Sequence, residues 1–222
     1  KVCHLFRNIP MIVHVINNAL ELNAEKIIII TGKYNELIQE TVKKYIDNKL
    51  FDKLIFVEQK EPLGTGHAVK CSLKEYNIDE NVLILNGDTP NLNAELLSKF
   101  INDNSENKLL ISEVNDPYGY GRIIMNNLNE IQKIVEEKDA SEEERKINKI
   151  NSGIYLIQSK YLLEFIPLIK NNNKSQEYYL TDLIEIMIRK SINIVGYLID
   201  KKDNNLILGV NTIEQLNNLE KM

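Results

Sequence analysis

Short β-branched runs alternate along this chain with longer segments in which apolar residues recur every three or four positions. The run Lys26-Ile27-Ile28-Ile29-Ile30-Thr31 is too short and too β-branched for a preferred helix and reads as a buried strand. Leu54 to Val57 and Val82 to Leu85 read the same way, and helix candidates lie around them at about 10–22, 34–48 and 66–75. Strands and helices alternating at this spacing predict βαβ units, right-handed crossovers and a mostly parallel sheet. In such sheets ligands collect at the carboxyl ends of the strands.

The pattern changes after residue 107. Residues 108–114 read as a strand, and Ile123 to Met125 and Ile131 to Val135 flank an Asn-rich turn at 126–129, which predicts a hairpin. Ala140 to Lys146 reads as a short charged helix and Ile154 to Ile157 as another strand. A helix is predicted over 175–190, with Leu180, Leu183, Ile184, Met187 and Ile188 on one face. A late strand at 194–199 and a helix running from the N-cap Thr212 to Met222 complete the reading. There is no internal repeat and no low-complexity linker. Residues 1–222 therefore read as one α/β domain, a mostly parallel central mixed sheet flanked by helices, with a small β-hairpin lobe inserted.

Composition narrows the field. A content of 43% hydrophobic and 27% charged residues is an ordinary globular balance, and 222 residues can bury a sizeable core. The net charge of -5 comes from interleaved acids and bases with no basic stripe, which argues against nucleic acid as a partner. A mildly acidic protein can still hold an anionic nucleotide through local amides, a lysine and a metal. The two cysteines, Cys3 and Cys71, read as reduced thiols in a cytoplasmic protein. The longest apolar runs fall far short of a membrane span or a signal segment. His4, His14 and His67 are too scattered for a zinc site, and no nucleophile elbow is present.

Several segments carry candidate chemistry. Leu63-Gly64-Thr65-Gly66-His67-Ala68 follows a strand and opens a helix, where bare glycines allow close approach and outward amides suit a polar or anionic group. Gln59, at the strand end, offers a paired donor and acceptor that could read a base. Asn86-Gly87-Asp88 ends a central strand, a place for Mg²⁺ and phosphate to meet, although Asp88 could instead cap the helix that follows Pro90. Asp116 to Arg122 is rich in glycine and tyrosine, which suits a sugar ring and equally suits a packed turn. The Glu136-Glu137-Lys138-Asp139 cluster is either a site or a solvated face. Asn151 could bond a sugar hydroxyl or acetamido group, Asp182 could be only a helix charge, and Asn211 could be a neutral second metal ligand.

Order and spacing say more than any one of these. Leu-Gly-Thr-Gly-His-Ala at 63–68, Asn-Gly-Asp at 86–88, Tyr-Gly-Tyr-Gly-Arg at 118–122, Ile-Val-Glu-Glu-Lys-Asp-Ala at 134–140, Asn-Ser-Gly at 151–153, Glu-Tyr-Tyr-Leu-Thr-Asp at 177–182 and Gly-Val-Asn at 209–211 occur together. The set resembles the uridyltransferase domain of the bacterial bifunctional N-acetylglucosamine-1-phosphate uridyltransferase family. The resemblance implies a Rossmann-like, GT-A-like nucleotidyltransferase fold with a sugar-binding hairpin lobe. It implies Mg²⁺-dependent transfer of uridylate from UTP to N-acetylglucosamine 1-phosphate, giving UDP-N-acetylglucosamine and pyrophosphate. Lys1 matches the phosphate-contacting lysine, Gln59, Gly64 and Thr65 the uracil readers, and Asn86 and Gly87 the ribose side. Asp88 matches the Mg²⁺ ligand and Asn211 its partner, while Gly121, Glu136, Asn151, Tyr179 and Thr181 match the sugar contacts. Lys1 and Asp88 are the expected catalytic pair.

Two departures accompany the resemblance. The family's Gly-x-Gly-Thr-Arg-Met loop and first strand would precede Lys1, and the acetyltransferase repeat does not appear, so only uridylyl transfer is implied. A chain that starts at Lys1 rather than Met reads as trimmed. Two rivals follow: another sugar-1-phosphate nucleotidyltransferase, or a non-catalytic sugar-nucleotide-binding subunit that lacks the loop. No membrane partner is expected, and a homo-oligomer is compatible with the sequence.

Overall fold

The β-branched runs form strands and the periodic segments form helices in the computed structural model, which describes residues 1–222. A minimal hairpin opens the chain. Strands β1 (Leu5–Phe6) and β2 (Ile9–Pro10) pair across Arg7 and Asn8, whose φ angles of 48° and 66° make the mirror-image turn that hairpins favour. Helix α1 (Met11–Glu21) follows, then β3 (Ile27–Thr31), α2 (Asn35–Tyr45), α3 (Asn48–Phe51), β4 (Leu54–Glu58) and α4 (Thr65–Ser72). Next come β5 (Asn81–Ile84), α5 (Ala94–Asn102), β6 (Lys108–Glu113), β7 (Arg122–Met125) and β8 (Ile131–Val135). The chain continues through α6 (Glu142–Arg145), β9 (Lys149–Gln158), α7 (Ser159–Phe165), α8 (Asp182–Arg189), β10 (Val195–Leu198) and α9 (Ile213–Glu220).

These elements form two compact units. The first comprises Lys1–Lys60, Leu85–Asp103 and Asn205–Met222. Its strands β3 and β4 pair in parallel from Ile27↔Leu54 to Thr31↔Glu58. Two strands cannot stand alone in water. Here α1 and α2 cover them, packing Ile12, Val13, Ile16 and Val42 against Ile29 and Leu54. Burial stabilises each such side chain by roughly 1.5–3 kcal/mol relative to exposure. A separate cluster of Phe6, Met11, Val210, Leu216 and Leu219 seats α9.

The second unit comprises Glu61–Ile84 and Asn104–Asn204. Its six-stranded sheet runs β10-β6-β9-β7-β8, with β5 also paired to β9. Strand β10 lies parallel to β6, whereas β9 runs antiparallel to β5, β6 and β7, and β7–β8 is the expected hairpin. The mixed sheet and its hairpin match the sequence reading. The ladder is not continuous with β3–β4, and its antiparallel share is larger than expected. The reason is β9: read from sequence as Ile154 to Ile157, it is ten residues long and borders both the hairpin and the sheet. Leu109, Ile111, Ile123, Ile157, Leu162, Leu183, Ile184 and Met187 fill the core beneath it.

Two helix boundaries differ from expectation. The helix predicted over 34–48 stops at Tyr45, and Asp47 caps a new turn by accepting from the Lys49 amide at 2.8 Å. The helix predicted over 175–190 starts only at Asp182. The backbone before it is committed elsewhere: the Asn173 side chain accepts from Glu177 N at 3.1 Å and donates to Glu177 O at 2.6 Å, and Gln176 sits at φ 56°. No helix is long and apolar enough to cross a membrane.

Candidate active site

In the first unit, Lys1, Asp88 and Asn211 meet. The Lys1 ammonium lies 2.6 Å from Asp88 Oδ2 and 2.9 Å from Asn211 Oδ1. Asp88 follows the short strand β5 through Gly87, where a Cβ would stand 3.0 Å from Ile12 Cδ1, so the bare turn lies close against α1. Asp88 is not a helix cap, because α5 is capped by Asn93, which accepts from Leu96 N at 2.9 Å. The Asp88 carbonyl instead accepts from Val210 N at 2.9 Å, which ties the Asn86-Gly87-Asp88 turn to the Gly209-Val210-Asn211 segment. Asn211 is then fixed by the capping box of α9. Gln215 Oε1 accepts from Asn211 N at 2.6 Å and Thr212 N at 3.1 Å, while the Thr212 hydroxyl accepts from Gln215 N. Gln59 extends the β3–β4 ladder by donating its amide to Thr31 O at 2.7 Å, and the Asn86 carbonyl accepts from the Thr89 hydroxyl.

In the second unit, Gly121, Glu136, Asn151 and Thr181 come together. A Cβ on Gly121 would lie 3.0 Å from Ile134 Cγ2, 3.5 Å from Glu136 Oε2 and 3.7 Å from Asn151 Cβ. The missing side chain thus lets Ile134, Glu136 and Asn151 close around the buried Gly121 backbone. The Gly121 carbonyl accepts from Asn151 N at 2.9 Å, and the Thr181 hydroxyl donates to Glu136 Oε1 at 2.9 Å. Burial raises the Glu136 pKa above its ordinary value, an effect partly offset by the Thr181 bond and reinforced by Asp139 and Glu177. Burial also raises Tyr179. Asp182, read from sequence as a candidate helix charge, is pushed up to about 6 by burial, with Glu185, Glu136 and Asp139 adding repulsion.

The Leu63-Gly64-Thr65-Gly66 turn departs from its expected role in one respect. The sequence predicts outward-facing amides here, yet Gly66 N donates to Tyr178 O at 2.7 Å and the Thr65 hydroxyl accepts from Leu180 N at 3.0 Å. Gly64 holds φ 113° and ψ 174°, a region that only glycine adopts readily. The turn is braced by the 177–180 segment of the same unit.

Sequence reasoning missed the residues that hold this cluster together. Glu137, adjacent to Glu136, accepts from Arg122 Nη2 at 2.6 Å and from Gly119 N at 3.1 Å, with Arg145 Nε 3.3 Å from its other oxygen. Burial alone would raise Glu137, but Arg122, the Gly119 amide and Arg145 outweigh it and hold the carboxyl below its usual range. Arg122 is 1% exposed and also donates to the Tyr120 carbonyl, so a buried ion pair sets the path of the glycine-rich loop. The charge cluster did signal Glu137, but a run of four charged residues does not reveal which one turns inward.

The nucleotidyl transferase family model covers residues 1–203, and the chain belongs to that family. Within it, the chain is 38% identical to a probable UDP-N-acetylglucosamine pyrophosphorylase of Acanthamoeba polyphaga mimivirus, across 100% of this chain and 88% of that protein. It is 37% identical to the bifunctional protein GlmU of Psychrobacter sp. (strain PRwf-1), across 100% of this chain and 47% of that protein, and so spans about half of that bacterial relative. Among solved structures, apo UDP-glucose pyrophosphorylase has a TM-score of 0.71 at 18% identity, covering 100% of this chain and 89% of that one. A UDP-glucose pyrophosphorylase complexed with UDP-glucose has a TM-score of 0.69 at 20% identity, covering 100% and 90%. At those identities the likeness establishes the nucleotidyltransferase-like α/β fold.

Proposed function

We propose that this protein transfers uridylate from UTP to N-acetylglucosamine 1-phosphate. A sugar-phosphate oxygen forms a bond to the α-phosphorus of UTP, the bond from that phosphorus to the bridging oxygen breaks, and pyrophosphate leaves with the electron pair. The sugar phosphate is already an anion at neutral pH, so no general base and no covalent enzyme intermediate are needed. The protein's task is positioning and charge neutralisation. The observation that carries the sugar assignment is the convergence of Gly121, Glu136, Asn151 and Thr181, which brings a carboxylate and an amide to one place and suits a ligand with hydroxyl and acetamido groups. Thr181 orients Glu136, and Tyr179 lies on the neighbouring segment. Gln59, Gly64, Thr65, Asn86 and Gly87 are assigned to the nucleotide on the strength of the motif order.

The residues of the first unit suit a hard divalent cation. Asp88 and Asn211 supply a charged and a neutral oxygen, and both already converge on a positive group, the Lys1 ammonium, at 2.6 and 2.9 Å. Mg²⁺ held by these two side chains would neutralise phosphate charge during the transfer. Two protein oxygens leave room for phosphate oxygens and water in its shell. Lys1 is 42% exposed at its side chain and can turn from the carboxylate to a phosphate oxygen. Both substrates are polyanions and the chain carries a net charge of -5, so these local cations decide whether they bind.

The test is pyrophosphate release measured with a panel of UTP or dTTP against the 1-phosphates of N-acetylglucosamine, N-acetylgalactosamine and glucose. The expected result is highest kcat/KM for UTP with N-acetylglucosamine 1-phosphate. Asp88→Ala should cut turnover by orders of magnitude with the fold intact. A protein that prefers glucose 1-phosphate, or an Asp88→Ala variant that turns over at the original rate, overturns the reading.

A further inference from the structure

Tyr155 touches none of the atoms assigned to substrate, yet it governs one residue that is. An asparagine amide is almost symmetric in shape, and only its partners decide which side donates and which accepts. Asn151 Nδ2 donates to Tyr155 Oη at 2.6 Å, and Asn151 Oδ1 accepts from Gly153 N at 3.1 Å. The backbone amide can only donate, so the oxygen must face Gly153. The phenol then receives one amide hydrogen. What remains on Asn151 is one N–H and one lone pair, a donor and an acceptor side by side. Tyr155 is 2% exposed, and its hydroxyl is too buried for water to replace it readily. The same burial raises its pKa, so it stays a neutral phenol.

The contact exists only because β9 is irregular. Residues four apart in a regular strand share a face but stand about 13 Å apart, beyond the reach of these two side chains. Here Tyr155 opposes Leu109 and Asn151 opposes Ile111, so β9 spends four residues where β6 spends two. That brings the two positions to roughly 7 Å, the spacing of alternate strand residues. Ser152 holds the extra residues: its hydroxyl donates to Leu110 O at 2.7 Å and accepts from Ile154 N at 3.2 Å. Gly153 provides the turn with φ 78°. Bulges of this kind re-aim side chains beside active sites.

We propose that Tyr155 is a positioning residue that fixes the orientation of the Asn151 amide and thereby the selectivity for the sugar. This rests on the assignment of Asn151 to the sugar phosphate. Tyr155→Phe removes one buried oxygen and keeps the ring. The expected effect is a KM for N-acetylglucosamine 1-phosphate raised about 10-fold, the worth of one well-placed hydrogen bond, with KM for UTP within twofold. Preference over glucose 1-phosphate falls by a similar factor. Because Tyr155 acts through Asn151, adding Tyr155→Phe to Asn151→Ala should produce no further loss. A readout independent of turnover is the ¹H–¹⁵N spectrum, in which the Asn151 side-chain amide pair should move toward solvent-exposed positions in Tyr155→Phe. An Asn151→Ala variant that damages sugar KM beside a Tyr155→Phe variant that leaves both KM and spectrum unchanged overturns the positioning role alone. A loss from Tyr155→Phe that persists undiminished in the Asn151→Ala background overturns it too. Unchanged sugar KM in Asn151→Ala overturns the sugar assignment and this proposal with it.

Discussion

Replacing Gly64 by alanine tests whether the Leu63-Gly64-Thr65-Gly66 turn is a structural joint of its unit. Two effects add. First, the backbone stands at φ 113° and ψ 174°, which costs an L-residue about 1–3 kcal/mol. Second, the new Cβ would stand 2.6 Å from Tyr178 O and 2.9 Å from Tyr178 N. Both atoms are backbone, so no side chain can rotate away. The turn and the 177–180 segment must separate by several tenths of an ångström. That separation strains Gly66 N–Tyr178 O at 2.7 Å and Tyr178 N–Leu63 O at 2.8 Å. Losing two such bonds costs about 2 kcal/mol net. The total is roughly 3–5 kcal/mol, a large share of the 5–15 kcal/mol that holds an ordinary protein folded. For a chain of this size it corresponds to a fall in Tm on the order of 10 °C. Thermal unfolding followed by circular dichroism, with urea titration as the second measurement, reads it directly. A Gly64→Ala protein melting within two degrees (about the error of the assay) of the parent would falsify the close approach of these two segments.

Three further outcomes are expected. Gly121→Ala crowds a Cβ against Ile134 Cγ2 and Glu136 Oε2, which displaces the carboxylate, and should raise KM for the sugar phosphate about 10-fold while leaving KM for UTP unmoved, as steady-state kinetics will show; equal increases in both would contradict it. Glu137→Gln strips the charge that faces the buried Arg122, so stability should fall by about 3 kcal/mol and the Gly119 amide should exchange faster with deuterium; unchanged exchange would deny the loop-setting role. Asp182, with its pKa raised to about 6, binds its proton more tightly folded than unfolded, so its favourable share of stability is complete below about pH 4 and lost as pH rises through about 6. Asp182→Asn should therefore stabilise the protein at pH 8 by about 1 kcal/mol, a figure already reduced for solvent screening at this half-buried site, and by less at pH 5. Urea midpoints that shift equally at both pH values would refute this.

Strands were the most legible part of the fold, because four successive isoleucines from Ile27 to Ile30, or the Ile154 to Ile157 run, leave no better option than a buried strand. Boundaries failed where polar residues did structural work. The strand reading of Ile154 to Ile157 leaves out Lys149 to Gly153, yet Asn151, Ser152 and Gly153 form the bulge of β9. The 175–181 segment carries helical spacing, but the 3.6-residue pattern loses to backbone bonds with a turn more than a hundred residues earlier, which no local window contains. The site was legible as residue types in their motif order. Lys1, Asp88 and Asn211 do meet, and so do Gly121, Glu136, Asn151 and Thr181. Tyr155 gave no signal, since an i, i+4 pair on a strand is out of reach unless the strand is bulged.

The motifs therefore owe part of their co-occurrence to one another rather than to a shared ligand. Leu-Gly-Thr-Gly at 63–66 and Glu-Tyr-Tyr-Leu at 177–180 exchange three bonds: Gly66 N to Tyr178 O, Tyr178 N to Leu63 O, and Leu180 N to the Thr65 hydroxyl. The small residue at Gly64 is required by the backbone of Tyr178, and the hydroxyl at Thr65 by the amide of Leu180. Tyr-Gly-Tyr-Gly-Arg at 118–122 and Glu-Glu at 136–137 are bound in the same way, through Arg122 and Gly119 on Glu137. In that second pair one glutamate is spent on scaffold and its neighbour is the one proposed to meet the sugar. A substitution at Glu137 should then change loop order before it changes chemistry, and one at Glu136 the reverse. Measuring amide exchange and sugar-phosphate KM on the two variants side by side separates the halves of a motif that a sequence alone presents as one.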